Sequence, residues 1–261
     1  MSNSTSNKLN QALKKALIST TGILVVLILW HTLSKKYHPL ILPSPQATWT
    51  ALIKLWDSGQ LWINIVITFR RTFVGYAAAL GFGLITALIL KASRLLQDLL
   101  RPIITVIQII PPVIWVVLAV IWFGISADLT PVFLIFIVTF PIVFINIFSG
   151  LESIDLKLVE MAVFYRCSKT KVITEIYFPA LVPHLVSAVS LGLSFAWKST
   201  IFAEFVGSSS GIGFALSMAN ANLETEKLFA WTIVLILMML VFEYGFLVPL
   251  NKRVTRWKQH E

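Results

Sequence analysis

Residues 129–148 read LTPVFLIFIVTFPIVFINIF, and none of these side chains is charged. An α-helix rises about 1.5 Å per residue, so about 20 apolar residues cross the roughly 30 Å hydrocarbon core of a bilayer. This stretch therefore predicts a transmembrane helix, and the rest of the sequence is interpreted outward from it.

The composition of the 261-residue chain agrees with a membrane environment. Hydrophobic residues make up 57% of the chain and charged residues 13%, whereas about 25% of the residues in a soluble domain are charged. These proportions disfavour a soluble enzyme and the disordered, collagenous and disulfide-rich classes. We therefore expect an all-α, polytopic membrane helical bundle.

Five further apolar stretches are long enough to cross a membrane. The six predicted transmembrane helices are residues 17–33, 72–90, 103–123, 129–148, 181–206 and 229–250. Lys14 and Lys15 precede the first stretch as in a signal peptide, but no small-residue cleavage site follows, so we expect a retained span. The predicted organisation is a 1–66 segment with the first span, a 67–253 core of five spans, and a 254–261 tail.

The basic residues set the expected orientation, because Lys and Arg resist translocation. The chain has 21 Lys and Arg residues against 12 Asp and Glu, a net charge of +9. With the N-terminus inside, 14 of the 21 lie in inner segments, six lie in outer segments, and Lys198 lies within a span. Both termini are therefore predicted to be cytoplasmic, and the positive charge is attributed to loop retention rather than to nucleic-acid binding.

Two connections between the spans are long enough to form structure of their own. The outer connection, residues 34–71, spaces Trp49, Leu52, Ile53 and Trp56 as an interfacial helix would. The inner connection, residues 150–179, contains two short helical patterns that are separated at residues 166–168. A cytoplasmic loop of this length indicates that a partner binds there.

No set of catalytic or metal-binding residues emerges from the sequence. Cys167 is the one cysteine, the four His residues are scattered, and there is no GxxxxGK[ST] phosphate loop. Residues 207–211 (GSSSG) match a nucleophile pattern at Ser209, but that pattern requires a preceding strand, and here it follows an apolar helix. We expect no enzymatic activity and no cofactor or metal in this chain, so an ATPase that drives it must be a separate subunit.

The second span carries a small residue at every fourth position: Gly75, Ala79, Gly83 and Ala87. Such a stripe lets two helix backbones approach closely, where dispersion and weak hydrogen bonds hold them together. It predicts tight helix packing rather than a contact with substrate.

Polar residues within the spans allow two interpretations, a transport path or helix packing. The fifth span places four on one helical face: Ser187, Ser190, Ser194 and Lys198. Either they line a path, or the serines bond neighbouring helices while Lys198 extends to the interface; both readings stay open. In the third span, Pro111 and Pro112 remove backbone donors and predict a kink or break of the kind that lines a cavity or a packed interface.

The inner connection resembles a known signature. Glu160, Met161 and Ala162, then Arg166, then Ile176, Phe178 and Pro179 resemble the E-A-A-x-x-x-G-x9-I-x-L-P sequence of permease subunits from binding-protein-dependent ABC importers. Met161 replaces an Ala, and Arg166 replaces the turn Gly, where a positive φ disfavours a side chain by about 1 kcal/mol. A shifted turn or an extended helix is therefore expected.

Further motifs resemble the nitrate, taurine and alkanesulfonate type of permease. They are LPSP at 42–45, the set Thr68, Arg71, Gly75 and Tyr76, IPPVIWVVLAVIWFGI at 110–125, Ala196 with Trp197, Ala203 with Glu204, and GSSSGIG at 207–213. The resemblance runs from about residue 42 to Trp257 and implies the type I importer permease fold.

The resemblance also implies partners and site residues. The partners are two cytoplasmic ATPase subunits that bind ATP, a second permease copy or paralogue, and an outer solute-binding protein at the bacterial inner membrane. The coupling residues would be Glu160, Met161, Ala162, Arg166, Cys167, Ser168 and Lys169. The translocation path would include Pro111, Pro112, Trp115, Ser190, Ser194, Trp197, Lys198 and Glu204. Family members carry sulfonates, nitrate, bicarbonate, or vitamins and their pyrimidine precursors, so the solute stays open.

The alternative function is a secondary transporter or channel that uses Lys198, Glu204 and Glu243 as an ion path. Such proteins usually contain internal repeats with interrupted helices, and no convincing internal symmetry is found in this sequence.

Overall fold

The computed structural model describes residue 14, residues 20–125 and residues 128–249. Nearly all of these residues are helical, and none of them lies in a strand. The helices are α1 Thr20–Ser34, α2 Pro45–Asp57, α3 Gln60–Ala92, α4 Arg94–Ile109, α5 Pro112–Phe123, α6 Leu129–Glu152, α7 Leu156–Phe164, α8 Lys169–Val172, α9 Phe178–Gly207, α10 Ile212–Ala221 and α11 Thr225–Phe242. The all-α prediction is confirmed.

Four helices are individually long and apolar enough to cross a membrane: Gln60–Ala92, Leu129–Glu152, Lys169–Gly207 and Thr225–Gly245. A fifth candidate is the pair α4 and α5, which is bent by 97°. The sixth predicted span corresponds to α1, whose predicted residues 17–19 lie outside the described part of the chain. Residue 250, the last of the final predicted span, also lies outside it. The fold is consistent with the six predicted spans.

Three predicted boundaries differ from the structure. The second span begins at Gln60 rather than at residue 72, because Arg70 and Arg71 lie within α3, where acidic side chains pair with them. The predicted division at residues 66 and 67 therefore falls inside a continuous helix. The third predicted span is two helices rather than one.

The second helical pattern of the inner connection is not a separate short helix. α8 continues through a π-helical turn, Ile173–Tyr177, directly into α9. The result is one continuous helix of 39 residues, Lys169–Gly207. At about 1.5 Å per residue it is roughly 58 Å long, so it extends well beyond the hydrocarbon core.

The core is centred on α6, which packs between α3 and α9. Its buried side chains include Leu134, Ile135, Val143 and Phe144, each at most 1% exposed. The predicted stripe on α3 faces this helix. A Cβ on Gly75 would lie 2.7 Å from Ile135 Cβ, and one on Gly83 would lie 2.7 Å from Val143 Cγ1. The prediction that the stripe mediates close helix packing is confirmed.

The helix predicted in the outer connection is present as α2, and its position at the membrane interface stays a prediction. Ser44 caps its N-terminus, because the Ser44 hydroxyl accepts a hydrogen bond from Ala47 N at 3.1 Å, and Pro45 occupies the first helical position. α2 buries Ala51 and Leu55 against Trp231 and Val234 of α11 and Ile212 of α10. This smaller cluster fixes α2, α10 and α11 at one end of the bundle.

The two glycines at positions 83 and 81 allow a matched test of the packing. Gly83→Ala should lower the thermal midpoint of the purified protein, because overpacking a filled interface costs about 1–3 kcal/mol. Gly81 is exposed, and a Cβ added there would meet no other atom within 4 Å. Gly81→Ala should therefore leave the midpoint unchanged or raise it, since Ala favours helix over Gly. Equal midpoints for the two variants would contradict this packing.

Candidate functional site

A buried ion pair joins α3 to α9. Arg71 Nη1 lies 2.9 Å from Glu204 Oε1, and the two side chains are 1% and 0% exposed. Thr68 Oγ1 donates to Glu204 Oε2 at 2.8 Å, and Gly213 N donates to the same oxygen at 3.1 Å. Both carboxylate oxygens are thus bound, which a charge withdrawn from water requires.

Asp128 extends this pair to the N-terminus of α6. Arg71 Nε donates to Asp128 Oδ1 at 2.9 Å, and Arg70 Nη2 donates to Oδ2 at 2.6 Å. The hydrogen bond from Arg71, aided by the one from Arg70, holds the pKa of Asp128 below its usual value, so the carboxylate stays ionised. One arginine therefore connects α3 to both α6 and α9.

The glycine-rich loop between α9 and α10 closes over the ion pair. Arg71 Nη1 donates to the Ser210 carbonyl at 2.7 Å, and Arg71 Nη2 donates to Ser210 Oγ at 2.7 Å. Gly211 has φ +98, and a Cβ there would collide with the Glu204 carboxylate, so only glycine fits. Thr68, Arg70, Arg71, Asp128, Glu204 and Ser210 are called the Arg71 cluster below.

The GSSSG sequence is therefore part of a structural loop. Ser209 is exposed at its centre. Ser208 Oγ donates to the Ser210 carbonyl at 3.0 Å, and Gly211 N donates to Asn64 Oδ1 at 2.9 Å. The described residues contain no group of three or more His, Cys, Asp or Glu that could hold a metal ion.

The structure separates the residues predicted to line a path on α9. Glu204 lies in the Arg71 cluster, and Trp197 is buried with its ring stacked on Phe242 at 5.5 Å. Ser190 is also buried within the bundle. Lys198 is exposed, with Nζ 6.0 Å from the centre of the Phe195 ring. Ser194 is half-buried beside Phe195, on the exposed side of the helix.

The prediction of a break at Pro111 and Pro112 is confirmed. α4 ends at Ile109, α5 begins at Pro112, and the two helix axes differ in direction by 97°. Since neither proline has an N–H, the carbonyls of Ile107 and Gln108 lose their usual helical donors. Trp115 Nε1 donates to the Ile107 carbonyl at 3.3 Å and replaces one of them. Trp115 thus stabilises the break.

A cavity of about 400 Å³ lies beside this break, between α4, α5, α6 and α9. Pro112 and Phe195 contribute to its wall, together with the amide side chains of Gln108 and Asn146. Neither amide was among the residues predicted from the sequence to line a path. The sequence nevertheless distinguishes both residues, because each is a polar side chain within an apolar run. Asn146 lies within the stretch 129–148.

The predicted coupling residues lie at the opposite end of the 39-residue helix. α7 and the turn at residues 165–168 form an elbow that precedes α8. Arg166 N donates to the Val163 carbonyl and Cys167 N to the Ala162 carbonyl, both at 2.9 Å, which is the Schellman pattern of a helix end. Ser168 then caps α8.

Arg166 occupies the position that the signature gives to glycine, and it adopts φ +53. Neither the shifted turn nor the extended helix that we expected from this substitution is present. The Schellman hydrogen bonds outweigh a conformational cost of about 1 kcal/mol.

The elbow presents large apolar side chains to the exterior. Phe164 is 83% exposed and Tyr165 is 72% exposed. Glu160, Met161, Ser168 and Lys169 are also exposed, Cys167 is half-buried, and Ala162 is buried beneath them. Exposed apolar patches of this kind mark contacts with another protein or with a membrane.

Residues 79–252 match the family model described as "Binding-protein-dependent transport system inner membrane component". The chain belongs to this family.

Three relatives are described as permeases for taurine or aliphatic sulfonates. The Escherichia coli K12 taurine transport system permease protein TauC is 26% identical over 251 residues, which cover 94% of this chain and 90% of TauC. The E. coli protein SsuC, which is described as a "putative aliphatic sulfonates transport permease protein", is 32% identical over 71% of this chain and 70% of SsuC. Its Bacillus subtilis counterpart is 27% identical, over 84% and 78%.

Solved structures of ABC transporters share the fold of this permease. The MetNI methionine ABC transporter in an inward-facing conformation aligns with a TM-score of 0.56 at 15% identity, over 76% of this chain and 95% of that one. An amino acid ABC transporter solved with histidines aligns with a TM-score of 0.60 at 15% identity, over 80% and 98%. The type I importer permease fold expected from the sequence is confirmed.

The family establishes the general role of the chain. It is an inner-membrane permease of an ABC importer, a class that works with an ATPase and a solute-binding protein. The alternative of a secondary transporter or channel is not supported. Among the described residues, Glu204 pairs with Arg71, and no ion pair joins Lys198, Glu204 and Glu243 to one another.

The Arg71 cluster makes a stability prediction. Arg71→Met should destabilise the permease by about 3–5 kcal/mol, because it leaves a buried carboxylate uncompensated. The double variant Arg71→Met/Glu204→Met should be more stable than the single one, since neither charge is then buried alone. Thermal midpoints in detergent measure both effects.

The exposed pair Lys227–Glu224 provides the control for this experiment. Its side chains are 46% and 40% exposed, and the two charged atoms are 2.8 Å apart. Glu224→Gln should therefore change stability by only about 0–1 kcal/mol. A loss as large as that of Arg71→Met would show that burial is not the cause.

Proposed function

We propose that this chain forms one half of a dimeric permease that imports small organic sulfonates, driven by two cytoplasmic ATPase subunits and supplied by an outer binding protein. The observation that carries the ATP-driven mechanism is the exposed apolar elbow at α7. The sulfonate assignment is supported by the relatives TauC and SsuC, which are described as taurine and aliphatic sulfonate permeases. In this proposal the chain binds no cofactor, and ATP binds only to the ATPase subunits.

The elbow combines an exposed aromatic end with contacts to the core, so it can transmit a push from a partner. Phe164 and Tyr165 project from the end of α7, while Val159 on the same helix packs against the core around α6. Ile176 and Tyr177 of the π-helical turn pack against that core as well. A push on the elbow is therefore transmitted both to α6 and to the start of the 39-residue helix.

This helix connects the elbow to the translocation path. Ser194 and Lys198 lie on a side of α9 that the other described residues leave partly or fully exposed, and Pro111 and Pro112 are exposed at the break between α4 and α5. We assign the path to this surface, which a second permease would enclose. A lysine there favours an anionic solute, because it supplies positive charge in a region of low dielectric constant.

ATP would act by changing the relative stability of two conformations. A nucleotide can shift an equilibrium only as far as its bound ATPase prefers one permease conformation over the other. In this chain, the contact between the ATPase and the elbow transmits that preference to the permease. The chain itself performs no covalent step.

Phe164→Ser should uncouple transport from ATP hydrolysis. In reconstituted vesicles, uptake should fall at least about tenfold while the permease still folds. The reason is that losing an aromatic anchor that a partner buries costs more than about 2 kcal/mol of binding free energy. Glu160→Lys should act in the same direction. The matched control is Leu223→Ser, because Leu223 is 69% exposed and has φ +56 at the end of α10. Normal uptake by both elbow variants would exclude the elbow as the coupling site.

Cys167 allows a test of the orientation, because it is the one cysteine of the chain. A membrane-impermeant maleimide should label it only after spheroplasts are permeabilised. Ser209 is exposed in the loop beside the Arg71 cluster. In a Cys167→Ser background, Ser209→Cys should be labelled in intact spheroplasts. Labelling of Cys167 in intact spheroplasts would place the elbow outside the cell and refute the proposed coupling.

A further inference from the structure

The cavity at the proline break has the size and lining of a small-molecule site. Its volume is about 400 Å³, and small-molecule sites have volumes of about 300–1,000 Å³. Its walls are mostly apolar, with Ile110, Ile142 and Phe195 among them. None of the described residues that line it is charged, and its polar side chains are the amides of Gln108 and Asn146.

Both amides have unused hydrogen-bonding capacity. Asn146 Nδ2 donates to the Ile142 carbonyl at 2.8 Å, one turn earlier on α6. This bond leaves the second N–H and the Oδ1 atom of Asn146 free to act. Within the described part of the chain, the Gln108 carboxamide forms no hydrogen bond. Pro112 also deprives the Gln108 backbone carbonyl of its helical donor.

Packing does not account for this arrangement. Asn and Gln in membrane helices commonly bond a neighbouring helix, but Asn146 bonds its own helix and Gln108 is exposed. A polar group in an apolar segment costs free energy unless it is hydrogen-bonded. Both side chains line a space large enough for a solute.

We propose that Gln108 and Asn146 form the contact through which the permease holds a small organic sulfonate during its passage. This inference rests on the proposed function. Each sulfonate oxygen accepts hydrogen bonds, and the two amides offer N–H donors at one cavity. The apolar walls accommodate the short carbon chain of the solute.

Neutral amides suit a transport path better than a cation in the cavity would. Conduction requires binding that is favourable enough for entry and weak enough for release. A lysine or arginine in contact with the sulfonate would retain it. Lys198 lies one turn beyond Phe195 on α9, outside the cavity lining, where it attracts the anion without holding it.

The test uses vesicles that contain the permease with its ATPase and a saturating concentration of its binding protein. The probe is radiolabelled taurine, and the initial rate and KM of ATP-dependent uptake are measured. Asn146→Leu and Gln108→Leu should each lower uptake about tenfold, the effect of one lost hydrogen bond to a charged group.

Gln97→Leu is the matched control, since Gln97 is on the same helix as Gln108 but does not line the cavity. Gln108→Lys distinguishes solute binding from a structural role. It should lower both the KM and the maximal rate, because the sulfonate is held more tightly and released more slowly. Misfolding would lower the rate without lowering the KM.

The outcomes separate this inference from the function on which it rests. Wild-type vesicles that show no ATP-dependent taurine uptake refute both. Wild-type uptake that is matched by Asn146→Leu and Gln108→Leu refutes the amide contact alone and leaves the sulfonate importer standing. An unchanged KM in Gln108→Lys likewise refutes the contact.

Discussion

The structure depends on the buried pair of Arg71 and Glu204. Two charges that leave water cost several kcal/mol each, so neither is tolerated without the other. Arg71 also bonds Asp128 at the start of α6 and Ser210 in the loop above, and Glu204 also bonds Thr68 and Gly213. Separating α3 from α9 would leave both buried charges unpaired, and displacing α6 or the loop would remove hydrogen bonds from the pair. This end of α3, α6, α9 and α10 is therefore constrained to move as a unit.

The sequence predicts most of the fold, because apolar length and loop charge are local properties. It also predicts the break at Pro111, since the missing N–H is a property of the residue itself. It does not predict the Arg71 cluster. The sequence places Arg70 and Arg71 in a loop. It also does not predict that Asp128 pairs with them, because only the fold brings Asp128 close to α3. The path assignment of Glu204 does not predict this pairing either, because a contact between residues more than 100 positions apart cannot be inferred from spacing.

The two ends of the long helix differ in how they are held. Near Glu204, two side chains of α3 and a backbone N–H of α10 fix it through hydrogen bonds. In its middle, α9 packs closely against α6. A Cβ added to Gly192 would lie only 3.0 Å from Val143 Cγ2. At the elbow, α7 buries only Ala162 and exposes its aromatic end. Contacts are therefore fewest where the proposed partner binds, and sub-global motion favours regions with few buried contacts.

The elbow nevertheless keeps a defined shape, as its Arg166 shows. A non-glycine residue at φ +53 persists only where the surrounding structure determines it. The hydrogen bonds from Arg166 N and Cys167 N to the α7 carbonyls, together with the Ser168 cap of α8, hold the turn in this conformation. A flexible turn would absorb a push from a partner by changing its own dihedral angles. Because this turn is fixed at both sides, displacement of α7 is passed on to α8 and, through the continuous helix, to the side of α9 where we propose the path.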